Sequence, residues 1–145
     1  ALSRVHEILV EELWRGVGLG DLIGRERRAA GLDDGAGFEV DVPDRRLSPE
    51  AAQNFVLAFH ELFVDARRGG ERGGRIAVLW REGEGRFVFD WERAGAPGAL
   101  AHDGFARVLL ERHLPRSVGG TATLAVEAAA TRYRLEGRLA ALAAN

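Results

Sequence analysis

Apolar residues recur every three or four positions in four stretches of the chain and every second position in five others, which predicts helices and strands in one layered fold. Leu2, Val5, Ile8, Leu9, Leu13 and Trp14 give the helical spacing of an opening amphipathic segment over 2–15, with Gly16, Gly18 and Gly20 as its break. A second, short helix is expected from Leu19 to Ala29, with Leu22 and Ile23 inward. Arg25, Arg27 and Arg28 stand in its last turns, where cations complement the helix dipole. The stretch Gly31–Gly37 reads as a loop. Phe38, Val40 and Val42 alternate with acids, as in a half-buried strand.

Ser48-Pro49-Glu50 is a helix start: a hydroxyl cap, proline at the first helical position and an acid in the first turn. The helix it opens runs to about Arg68 and carries Phe55, Ala58, Phe59, Leu62, Phe63 and Ala66 as its apolar stripe, and Gly69-Gly70 ends it. Strand-like runs at 75–81 and 86–92 flank Glu82-Gly83-Glu84-Gly85, a hairpin turn. A loop over 94–103 follows. Then comes a short helix around Phe105, Val108, Leu109 and Leu110, expected to end before Pro115 because the residue preceding a proline avoids the helical region. Gly119-Gly120 introduces two last strands, near 121–127 and 131–139, and the tail 140–145 is expected to fray. The pattern amounts to an α+β two-layer sandwich, a mixed sheet of about five strands with helices on one face.

Composition narrows the chemistry. With 145 residues, 46% hydrophobic and 29% charged, the chain fits one globular domain. Cysteine is absent, which excludes disulfides, thiolate metal sites and cysteine nucleophiles. A formal charge of -2 argues against a general nucleic-acid binder. No apolar run reaches the roughly 18 residues of a membrane span, and no signal peptide opens the chain, so a cytoplasmic location is expected. All basic residues are arginine, in keeping with a GC-rich coding bias, and the first residue is Ala1 rather than methionine, from which a fragment or processed chain is expected.

The stretch most suggestive of chemistry is His60-Glu61-Leu62-Phe63-Val64-Asp65-Ala66-Arg67-Arg68. Glu61 and Asp65 are four apart and share a helix face with Arg68 next along it. Two carboxylates so spaced can hold magnesium or polarise a nucleophile; they also make an ordinary solvated acidic edge. The His60-Glu61 pair lacks the second helical histidine of a zinc motif, and His6, His102 and His113 are too scattered to suggest a metal site. Trp80 and Trp91 are expected as a packed cross-strand pair or as separate core residues. The arginines at 67, 68, 72 and 75 form a solvated rim, or a surface for phosphate or an acidic partner.

The order of these features resembles the ATP-binding domain of sensor histidine kinases, and more narrowly the HWE histidine kinase family. His-Glu-Leu lies on a long helix with a Gly-rich end, Trp91-Glu92 closes a hairpin strand, and Gly104-Phe105 precedes a helix. Leu13-Trp14-Arg15-Gly16 and Asp21-Leu22-Ile23 are similar to the segment joining the dimerisation helix to that domain. The resemblance implies a division into 1–20, the end of a dimerisation helix and linker, and 21–145, a catalytic domain. It implies ATP and Mg2+ as cofactors. Glu61, with His60 beside it, would act as base toward an acceptor histidine, and Asp65 would carry the metal. The nucleotide would lie among Asp65, Arg68, Trp91, Glu92, Gly95, Gly98, Gly104 and Phe105. The implied partners are a response regulator and the protein's own upstream dimerisation helices in a homodimer, with no nucleic acid and no membrane in this segment.

Departures from the family pattern fall at the site itself. Asp65 stands where the family has Asn, Arg68-Gly69-Gly70 replaces Lys-Tyr-Gly, and Ala106 replaces the last glycine of Gly-Phe-Gly. Trp91-Glu92-Arg93 replaces Trp-x-Glu, so an arginine, which has only donors, stands where a carboxylate would read the adenine amino group. Two functions therefore follow: an ATP-dependent histidine kinase catalytic domain, or a degenerate relative that binds nucleotide weakly or not at all and acts in phosphotransfer or response-regulator docking.

Overall fold

The computed structural model describes residues 17–32, 37–68, 75–95, 98, 100 and 104–143. The expected helix over 2–15 lies outside them. The described chain runs β1 (Val17–Gly18), α1 (Leu19–Ala29), β2 (Phe38–Asp41), β3 (Arg46–Leu47), α2 (Pro49–Arg68), β4 (Ile76–Gly83) and β5 (Arg86–Ala94). It continues through α3 (Gly104–Val108), a π-helical turn (Leu109–His113), α4 (Leu114–Ser117), β6 (Thr121–Val126) and β7 (Ala130–Arg138) to a 3-10 turn at Leu139–Ala141.

Five strands form one mixed sheet in the order β2-β4-β5-β7-β6, with β2 parallel to β4 and every other pair antiparallel. The β4–β5 hairpin turns at Glu84 (φ 54°) and Gly85 (φ 77°), both in the left-handed region that a two-residue hairpin requires. Along β5 and β7 the inward residues are buried, whereas the outward face carries Asp90–Arg134 and Glu92–Arg132 pairs across neighbouring strands. One face is therefore core and the other faces solvent, as expected for the two-layer sandwich.

α2 lays its apolar stripe on the buried face of the sheet. Ser48 caps it through a 3.1 Å bond from the Ala51 amide to Oγ. Phe55, Phe59 and Phe63 then stack down the sheet: Phe55 against Trp80 and Phe87, Phe59 against Phe89, and Phe63 edge-on against Trp91 at 4.9 Å. The match is geometric. Four helical residues rise about 6 Å and two strand residues about 6.8 Å, so an i, i+4 stripe stays in step with alternate residues of β5. Trp80 and Trp91 are separate core residues. Trp80 registers with Phe89 and Trp91 with Val78.

Three expectations are corrected. The helix after Gly104 does not stop before Pro115. It continues to Ser117 by widening into a π turn, in which the Leu114 amide reaches back to the Leu109 carbonyl. Gly18 and Gly20 are not a simple break: Val17–Gly18 pairs with Arg46–Leu47, and Gly20 lies inside α1. Nor does the chain fray directly after β7, because Leu142 is buried in the core and its carbonyl accepts from the Ser48 amide at 2.8 Å.

Candidate functional site

Asp65 sits in the last turns of α2 with no exposure, on the stripe side of the helix. Its carboxylate is taken up from two directions. Oδ1 accepts from the backbone amides of Gly98 (2.8 Å) and Leu100 (3.0 Å), and Oδ2 accepts from Arg93 Nη2 at 3.2 Å. Arg93 is 1% exposed and also donates to the Ala94 carbonyl. A buried carboxylate and a buried guanidinium thus neutralise one another, which is what lets either charge lie in the core.

The strand alternation decides which residues of Trp91-Glu92-Arg93 face this point. Trp91 and Arg93 point into the core, while Glu92 projects from the opposite face, exposed and 3.7 Å from Arg132. Glu92 therefore does not join Asp65. Trp91 is a core residue packed on Phe63, and among the described residues neither its indole nitrogen nor the buried hydroxyl of Thr131, which registers with Arg93 on β7, has a hydrogen-bond partner.

Gly98, beyond β5, lies directly on the end of α2. A Cβ at Gly98 would come 2.3 Å from the Asp65 carbonyl oxygen and 2.8 Å from the Arg68 carbonyl carbon, so only glycine permits the approach. Gly95, at φ 108°, anchors the start of the loop through its amide to the Ala129 carbonyl. Asp65, Arg68, Gly98 and Arg93 are therefore neighbours. Glu61 stands one helical turn before Asp65 and is half-buried. His60 is exposed, 3.7 Å from Glu26 on α1. Gly104 and Phe105 are exposed, Phe105 to 67%, whereas Ala106 is fully buried. Arg68 is exposed in the last turn of α2.

Sequence reasoning missed the pairing of Asp65 with Arg93. The signal is present as two coincident departures, an acid gained on the helix and a base gained on the strand, which only the fold brings together. Among the described residues no group of three or more His, Asp or Glu side chains could hold a metal ion, and no helix is long and apolar enough to cross a membrane.

Mg2+ takes carboxylate oxygens at about 2.0–2.1 Å in an open octahedral shell. Asp65 offers no such position, since both oxygens are engaged, the group is sealed from solvent and a guanidinium lies where a dication would have to approach. The residues present do not fit the metal, and Arg93 has no acceptor for an adenine amino group.

No family profile and no curated protein matches this chain. Solved structures do. The histidine kinase domain of the Erythrobacter litoralis EL346 blue-light activated histidine kinase superposes with a TM-score of 0.64 at 14% identity, over 84% of this chain and 59% of that one. The Acinetobacter baumannii histidine kinase AdeS gives 0.58 at 12% identity, over 86% and 66%. The histidine kinase domain of the E. coli osmosensor EnvZ gives 0.53 at 16%, over 89% of each chain. The chain thus spans less than two thirds of the length of the first two. Identities this low speak for architecture, and the architecture is the α+β fold of histidine kinase catalytic domains.

Proposed function

We propose that this chain is a two-component signalling module that keeps the histidine kinase catalytic fold but works without Mg-ATP, in phosphotransfer or response-regulator docking. The observation that carries the reading is the buried Asp65–Arg93 pair. It sits where the family resemblance puts the metal-binding residue and the adenine-reading residue, and it satisfies each with the other. The structural likeness to solved kinase domains supports the fold beneath this reading, and the resemblance of 1–20 to a dimerisation linker supports a homodimeric setting with upstream helices.

Under this reading, Glu61 and His60 retain the position of the family's catalytic pair without a nucleotide to act on. Arg68, Gly104 and Phe105 become surface residues available to a partner protein, while Gly95 is a buried turn residue.

The test is a thermal-shift and calorimetric titration with magnesium-ATP. A ligand that binds the folded state alone at a hundredfold excess over Kd raises stability by about 2.7 kcal/mol, a shift of several degrees in a domain of this size. The expected result is no shift at millimolar nucleotide. Saturable binding at low micromolar Kd would overturn the reading in favour of an ATP-dependent kinase domain.

A further inference from the structure

We propose that the free edge of β6 is the contact for a second copy of this chain, paired antiparallel across a two-fold axis so that two five-stranded sheets join into one. β6 is the last strand of its sheet and pairs on one side only, with β7. Its sequence, Thr121-Ala122-Thr123-Leu124-Ala125-Val126, holds no charge and no proline. Such residues ordinarily blunt an edge, because an open row of N–H and C=O groups templates another strand. The opposite edge, β2, has that protection: Glu39 and Asp41 lie on it and Asp44 follows. β6 has none.

The ladder fixes which backbone groups are open. The Glu127 amide donates to the Ala130 carbonyl at 2.9 Å, which makes 127 and 130 a hydrogen-bonded pair in the β6–β7 register. Bonded and non-bonded pairs alternate along an antiparallel ladder. Thr121, Thr123 and Ala125 therefore turn their N–H and C=O toward β7, and Ala122, Leu124 and Val126 turn theirs outward. Among the described residues no other strand or loop bonds to those three. Their side chains lie on the core side and are only partly buried, so a strand laid beside them would also cover apolar surface.

One symmetric register uses every open group. With Leu124 on the axis, it meets Leu124 of the second copy, and Ala122 meets Val126. Inward side chains then stay inward in both copies. Moving the axis one residue sets Val126 against Gly120, whose amide already donates to the Pro115 carbonyl, or Ala122 against Ala128 in the turn. The ends of the seam agree in charge. Glu127 of the second copy would stand opposite Thr121 and diagonal to Gly119, and the Arg138 side chain lies 3.3 Å from where a Gly119 Cβ would be. An exposed acid thus meets an exposed arginine at both ends. The contact uses none of the residues around Asp65, so it holds or fails apart from the proposed function.

Sedimentation velocity over a concentration series tests it on the full chain. The wild type is expected as a reversible monomer–dimer equilibrium. Ala122→Pro removes an outward N–H and leaves the β7 ladder whole. Thr123→Lys combined with Ala125→Lys sets like charges opposite one another across the seam. Each change is expected to weaken the dimer at least about tenfold. The lysine pair lies on the solvent face of the strand, so it decides the matter should Ala122→Pro not fold. Mild oxidation then reads the register in this cysteine-free chain. Leu124→Cys faces its own counterpart and should cross-link two copies, whereas in Thr121→Cys the two thiols lie roughly 20 Å apart along the seam and should not. A wild type that stays monomeric at every concentration would leave the edge to an extended peptide of another protein and overturn the proposal. A dimer that the lysine pair leaves intact, open-ended polymers, or equal cross-linking at 121 and 124 would overturn it as well.

Discussion

The phenolic oxygen of Tyr133 donates a 2.6 Å hydrogen bond to the main-chain carbonyl of Leu110, joining β7 to the π turn. The bond compensates for Pro115. Continuing the π pattern, the Leu110 carbonyl would accept from residue 115, and proline has no N–H to give. Tyr133 supplies the missing donor inside the core. Tyr133→Phe keeps the ring and orphans the carbonyl, so it should cost roughly 1–3 kcal/mol in urea unfolding. An unchanged midpoint would contradict this account of how the helix passes through Pro115.

The same residue sets an alkaline limit. Tyr133 is the one tyrosine in the chain, and burial, with the Glu111 charge adding to it, pushes its hydroxyl well above the ordinary range. A group whose pKa is raised on folding contributes stability that is fully present below its unfolded pKa, about 10, and is lost as pH climbs toward the folded value. Ultraviolet titration of the phenolate should therefore show no ionisation near pH 10 in the folded protein, with ionisation and unfolding arriving together. An ordinary titration curve in a protein that stays folded would refute it.

Asp65 and Arg93 should be strongly non-additive. Removing one partner leaves a buried charge with its counter-ion gone, at a cost of about 3–5 kcal/mol. Arg93→Met and Asp65→Leu are each expected in that range. The double change should lose less than the sum of the two by at least about 1 kcal/mol, since neither charge then remains buried. Chemical denaturation of the four proteins completes the cycle, and simple additivity would mean that the two side chains do not neutralise each other.

At the other end of the sheet, Glu82 accepts from Arg45 Nε at 2.8 Å and from Trp80 Nε1 at 2.9 Å, fastening the segment before β3 to the end of β4. The Arg45 bond, aided by the indole and by the Arg45 charge against a smaller opposing effect of burial, holds the carboxyl below its usual range. A depressed carboxylate pKa contributes stability that is present above the unfolded value, about 4.3, and lost as pH falls through the folded one. Because the pair is largely solvated, the contribution is at most about 1 kcal/mol. Glu82→Gln should flatten the acid limb of a stability-versus-pH curve by that amount and leave neutral-pH folding intact. A limb identical to wild type would show that the pair contributes nothing.

Periodicity, caps and turns made most of the fold legible in the sequence. The Ser48-Pro49 start of α2, its phenylalanine stripe, the turn at Glu84-Gly85 and the alternating strands that follow are each fixed by interactions within a few residues, so local sequence determines them. Local signals also misled. Pro115 looks like a stop, and only a tyrosine 18 positions further on, brought over by β7, makes the carbonyl it strands tolerable.

The candidate site was legible as a location but not as chemistry. Spacing puts Glu61, Asp65 and Arg68 along one helix face, whereas the family resemblance groups Glu92 with the nucleotide site and strand alternation puts it on the face opposite Arg93. What the alternation could not say is that Arg93 would face Asp65, 28 residues earlier. Only the packing of α2 on β5 brings them together, and only burial turns the meeting into a neutralised pair with the loop amides gathered around it. The sequence by itself determined which segments coil, which extend and where they turn, because those choices rest on short-range sterics and hydrogen bonds. The tertiary structure alone decided whether the acid on α2 is a metal ligand or an internal counter-ion, because a buried charge takes its role from whatever distant group the fold places beside it.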